Sequence, residues 1–122
     1  LTARRKEMAK IYNVTLIINP DKLGELKQAF DEIGICGMTI THVEGCGTQH
    51  GKSGYYRGTK TDMSLLPKTK VEVVVSKIPV DTVIEAAEKV LNTGAIGSGK
   101  IFVYDLEKVY RVRTGETDED AL

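Results

Sequence analysis

No stretch of this sequence is apolar for long enough to span a bilayer or to act as a secretory leader, so neither a membrane segment nor an exported protein is expected. Cysteine is scarce: Cys36 and Cys46 are the only two and stand in no CxxC spacing, which points to free thiols in a reducing, cytoplasmic setting. Histidine is equally scarce. His42 and His50 have no local cluster of carboxylates or thiols, and Ser53, Ser64, Ser76 and Ser98 have no evident base beside them. Neither a metal cage nor a nucleophile–base pair is supported, and no enzyme is expected. Charge of one sign is missing too. Seventeen basic residues balance seventeen acidic ones, so no overall field draws the molecule to nucleic acid or an anionic membrane, although a local pair of arginines can still hold phosphate.

What is present suits one domain with a real core: 122 residues, 41% of them hydrophobic. Residues 1–9 are expected to be a disordered extension of a domain spanning 10–122. Leu1 to Glu7 are polar and basic without periodicity, and Arg4-Arg5-Lys6-Glu7 is what a purine-rich ribosome-binding stretch would encode in frame, which makes Met8 the expected native start. Val14, Leu16 and Ile18 alternate with Asn13 and Thr15, predicting a strand over 12–18. Asn19-Pro20 offers a cap and a first-turn proline, Leu23, Leu26, Phe30 and Ile33 recur at helical spacing, and Gly34 offers a left-handed stop. A helix is therefore predicted over 21–33. Further strands are predicted at 38–43, 71–75 and 101–106, with a short extended element at 109–113. A second helix opens at Pro79, buries Val83, Ala87, Val90 and Leu91, and ends at Gly94. The glycine-studded segment from Gly45 to about Met63 has almost no aliphatic content, and a loop of that length inside a compact chain is read as functional.

Strand, helix, strand, long loop, strand, helix, strand is two split βαβ halves, an α+β ferredoxin-like double βαβ sandwich. Two helices cover one face of such a sheet. The other face, expected to carry Tyr12, Ile40 and several valines, is too apolar to be left wet, so self-association is predicted to bury it.

Two stretches could hold phosphate. In Gly97-Ser98-Gly99-Lys100 the glycines let backbone N–H groups approach a ligand and the lysine adds a compact positive charge; the plainer alternative is a tight helix-to-strand connection. Arg111 and Arg113, two apart on an extended segment, would project from one side as paired guanidinium forks, or would be a solvated edge strand.

Taken in order, Gly34-Ile35-Cys36-Gly37-Met38-Thr39, Tyr56-Arg57-Gly58, Leu66-Pro67-Lys68, Thr93-Gly94 with Gly97-x-Gly99-Lys100-Ile101-Phe102-Val103, and Arg111-x-Arg113-Thr114-Gly115-Glu116 resemble the PII family of signalling proteins. The similarity covers nearly the whole chain, from about Lys10 to Leu122. It implies a cytoplasmic homotrimer whose intersubunit clefts bind ATP or ADP, with a long protruding loop, 45–68, that docks into a target protein and takes its shape from the nucleotide. Carried over by position, Gly37, Met38, Thr39, Gly45, Cys46, Gly47, Thr48 and Val74 would frame the nucleotide. Gly97, Ser98, Gly99 and Lys100 would hold phosphate, and Arg111 and Arg113 would clamp it. In many members a magnesium ion on the ATP also coordinates 2-oxoglutarate and a glutamine; Gln49 has that position, and Lys68 that of a lysine near the oxoacid.

The chain departs from the family pattern at several points, among them the unusual loop middle Gly51-Lys52-Ser53-Gly54-Tyr55-Tyr56, which lacks the usual acidic residue before Tyr56. Thr48 replaces the usual arginine, Ser98 the usual aspartate, and Thr61 the tyrosine that some members carry for uridylylation, which excludes that modification there. The resemblance thus implies a divergent branch whose main input is the ATP/ADP ratio. Competing readings are an ATP-dependent 2-oxoglutarate sensor, a related trimer for another small ligand or metal, and a weak ATPase, for which no dedicated base is present.

Overall fold

Period-two alternation in the apolar strands and helical periodicity between them build one layered α+β unit. The structure is a computed structural model and describes residues 10–47, 55–56, 59–60, 64–95 and 98–122. The expected extension 1–9 with Met8, the loop positions Thr48, Gln49 and Thr61, and Gly97 lie outside the described residues.

Strand β1 (Ile11–Ile18) leads through a 3-10 turn (Pro20–Lys22) into α1 (Leu23–Glu32), followed by β2 (Thr39–Gly47). Two short strands, β3 (Tyr55–Tyr56) and β4 (Thr59–Lys60), pair with each other before β5 (Ser64–Val75), α2 (Val80–Leu91) and β6 (Lys100–Leu106). The main sheet runs β2-β5-β1-β6 with every neighbour antiparallel, the ferredoxin-like order expected from the chain.

The core lies between sheet and helices. Val14, Leu16 and Ile18 from β1 and Val71, Val73 and Val75 from β5 meet Leu26 and Phe30 of α1 and Val83, Ala87 and Leu91 of α2. Each helix buries residues four apart, the spacing that stacks side chains on one face. The stop at Gly34 forms as predicted: at φ +94° its N–H donates to Asp31 O and that of Ile35 to Phe30 O, both at 3.0 Å. This paired closure, with Ile35 packed into the same core cluster as Phe30, is the glycine-terminated helix cap known as the Schellman motif.

Several expectations change. Asn19 holds the N-cap position without a side-chain cap hydrogen bond; its Oδ1 instead accepts a 2.6 Å hydrogen bond from Lys68 Nζ, and the first turn is 3-10 rather than α. Helix α2 stops at Leu91, three residues before Gly94. The ladder extends into the predicted loop, pairing Gly45 with Leu66, Cys46 with Leu65 and Gly47 with Ser64, so both ends of 45–68 are strand. Tyr12 and Ile40 do not lie on the uncovered face. They pair with Val75 and Val71, core residues, and cross-strand partners share a face. The face away from the helices instead carries Asn13, Thr15 and Ile17, the β5 residues Lys70, Glu72 and Val74, and Phe102 and Tyr104, which are 42% and 52% exposed. Residues 109–113 form no strand: Tyr110 bridges Thr117 around a turn in which Arg111 N–H donates to Glu116 O at 2.8 Å.

Candidate functional site

Four of the residues expected to frame a nucleotide line one cavity. Gly37, Met38 and Thr39, at the entry to β2, and Val74 on β5 face a space of about 540 Å³, closed also by Cys36, Glu72, Glu119 and Leu122. The α1 closure positions this wall. Once Gly34 has turned the chain out of the helix, Ile35 is buried and the next two residues, Cys36 and Gly37, are left exposed at the cavity. A methyl group built on Gly37 would meet nothing within 4 Å, so the backbone here is open to a ligand.

The remaining expected residues lie elsewhere. Gly45, Cys46 and Gly47 continue β2 past the end of β1, and Cys46 is exposed. Lys100 starts β6 at the opposite edge of the sheet, in the cross-strand row Thr41, Lys70, Ile17, Lys100. Three strand spacings, about 14 Å, separate those two edges. Gly99 has its own structural reason to be glycine. At φ +128° an added Cβ would stand 2.8 Å from Ile17 O, so this turn is a close backbone approach to β1. Ser98 Oγ is used locally, donating to Ala95 O at 2.8 Å and lying 2.9 Å from Thr93 Oγ1, while Asn92 Oδ1 accepts from Gly94 N–H at 2.9 Å. The side chain of Ser98 is therefore spent on Thr93 and Ala95.

The two arginines do not project as a matched pair. Arg113 is exposed in the turn at 112–114, whereas Arg111 reaches the backbone oxygens of Ala121 and Leu122 at 3.0–3.3 Å and Glu116 Oε1 at 3.6 Å. A turn at 112–114 removes the common side that alternation implied. Lys68, half-buried, donates to an amide oxygen rather than a carboxylate.

The family model described as nitrogen regulatory protein P-II matches residues 11–116. The chain belongs to the P-II family. Similar curated proteins include a nitrogen regulatory protein P-II of Pasteurella multocida, 48% identical over 109 residues that cover 89% of this chain and 97% of that protein. The nitrogen regulatory protein GlnK of Escherichia coli K12 is 47% identical over the same shares. Among solved structures, the Bacillus subtilis GlnK–ATP complex superposes with a TM-score of 0.81 at 37% identity, covering 96% of this chain and 100% of that one. The chain is accordingly a P-II signal-transduction regulator of nitrogen metabolism and not an enzyme. Glu72, Cys36, Glu119 and Leu122 were not singled out from the P-II sequence. Glu72 was within reach of it, because it stands two residues from Val74 on a strand and must share its face.

Proposed function

We propose that this P-II protein is a cytoplasmic homotrimer that senses ATP and ADP in clefts between subunits and regulates a target protein through the 45–68 segment. One observation carries the reading: Gly37, Met38, Thr39 and Val74 converge on one cavity, while Gly99 and Lys100 sit at the far edge of the same sheet. A site using both halves needs two copies of the chain. The ATP named with the B. subtilis GlnK structure supports the ligand class. Backbone amides at 97–99, Lys100 and the guanidinium groups of Arg111 and Arg113 supply the polyphosphate contacts. Among the described residues no helix is long and apolar enough to cross a membrane. Among the described residues no group of three or more His, Cys, Asp or Glu stands ready for a metal. Magnesium would arrive on the polyphosphate, with Gln49 as its protein ligand.

A second input is favoured by Lys68, whose ammonium at the root of the loop donates to the neutral Asn19 amide and keeps its charge for an anion such as 2-oxoglutarate. Calorimetric titration with ATP, ADP and AMP, with and without magnesium and 2-oxoglutarate, tests both readings. ATP and ADP are expected to bind, and absence of adenylate binding would end the nucleotide reading. A strong gain in ATP affinity on adding the oxoacid would establish the second input, and none would remove it. Arg113→Ala is expected to weaken ATP by about 1.5–3 kcal/mol, the scale of a lost charged hydrogen bond; unchanged affinity would mean the clamp is elsewhere.

A further inference from the structure

The guanidinium given above to phosphate is already occupied. Arg111 Nε and Nη2 donate to Ala121 O at 3.3 and 3.2 Å, and Nη2 also donates to Leu122 O at 3.0 Å. These bonds fold residues 117–122 back on the chain. Asp118 N–H donates to Val109 O at 2.7 Å, Val109 N–H donates to Asp118 Oδ1 at 3.2 Å, and the 3-10 turn Asp118–Ala121 follows. Through that turn Glu119 and Leu122 become part of the wall of the cavity that holds Gly37, Met38, Thr39 and Val74. One arginine therefore fastens a segment lining the very site it is expected to serve.

We propose that residues 117–122 form an autoinhibitory strap, competing with a polyphosphate ligand for Arg111 and leaving the cavity wall when that ligand binds. The proposal rests on the nucleotide reading and adds its regulation. Three features make the exchange favourable. Ala121 O carries only partial charge and the Glu116 carboxylate stands 3.6 Å off, so a polyphosphate that accepts the same fork bidentately is the stronger partner. The strap is also acidic, with Asp118, Glu119 and Asp120 in succession, and Glu119 in the cavity wall has the same sign as the ligand. Asp118 itself is held at φ 55°, a left-handed conformation uncommon outside glycine, so the folded-back state is not the backbone's preferred one. A ligand shifts such an equilibrium only by binding its two states differently, and the shared arginine provides that difference.

The test uses ATP as the probe on the full chain and on a chain ending at Asp118, which lacks Ala121 O and Leu122 O, the two acceptors. The shortened chain is expected to bind ATP about 5- to 10-fold more tightly, the size of a typical coupling between competing contacts. In the full chain, saturating ATP is expected to speed amide hydrogen exchange at 118–122 several-fold, a readout that needs no variant to fold. Equal or weaker ATP binding by the shortened chain overturns the strap, and so does unchanged or slower exchange. Absence of ATP binding by either chain overturns the nucleotide reading itself and the strap with it, a result distinct from equal binding by both.

Discussion

Thr69 is the one residue whose buried side-chain oxygen finds no hydrogen-bond partner among the described residues, although it sits fully buried between Ile18 and His42 in the sheet. Desolvating a hydroxyl without pairing it costs free energy that a methyl group of the same shape does not. Thr69→Val is therefore expected to raise stability by about 1 kcal/mol in urea unfolding, and a loss would show that the hydroxyl has a partner. The glycines make a second contrast at this scale. Gly99→Ala places a Cβ against Ile17 O at a positive φ and is expected to cost about 1–3 kcal/mol of stability. Gly37→Ala enters open space and should change stability by less than about 0.5 kcal/mol while weakening ATP binding. Thermal unfolding and titration of the two variants separate a glycine kept for packing from one kept for a ligand. Sequence could not separate them, because Gly99 is constrained by the carbonyl of Ile17, a neighbour brought close only by the fold.

Elements whose periodicity is imposed by burial were legible. The faces of α1 and α2 stand where Leu26, Phe30, Val83, Ala87 and Leu91 placed them, because each buried position must recur with the helical turn. Phe30→Ala, emptying the largest fully buried side chain, is expected to destabilise by about 3–5 kcal/mol in denaturant unfolding. The ends of β2 and β5 were not legible, since Gly45, Gly47 and Pro67 are poor strand formers that are held here by pairing with the opposite strand. Alternation misled at 109–113 for the opposite reason. Val109, Arg111 and Arg113 keep the period of a strand, yet Arg111 is fixed by backbone bonds to Glu116 and Gly115, and the turn discards the parity. The faces given to Tyr12 and Ile40 failed because parity has to be counted from the core, and only the pairing with Val75 and Val71 supplies that origin.

At the scale of the molecule, the uncovered sheet face is where copies would meet. Phe102 and Tyr104 stand on it beside Thr15 and Asn13, on the edge strand β6. Placing a charge there leaves the helix-side core untouched but must be desolvated on association. Tyr104→Glu is expected to shift the proposed trimer to monomer in sedimentation velocity and to abolish ATP binding together with assembly. A monomeric variant that still bound ATP would show the site to be complete within one chain. Membership in the P-II family was legible from short motifs in their joint order. The local geometry of the site was not, because the framing cluster and the Gly99–Lys100 cluster belong to opposite edges of the sheet.

That division across the sheet has a genetic corollary. If one partner contributes the Gly37 side of a cleft and its neighbour the Lys100 side, two crippled alleles can rescue each other: a Gly37 variant and a Lys100 variant, each inert as a pure population, would regain about one working cleft in four after random exchange of subunits in a cyclic assembly.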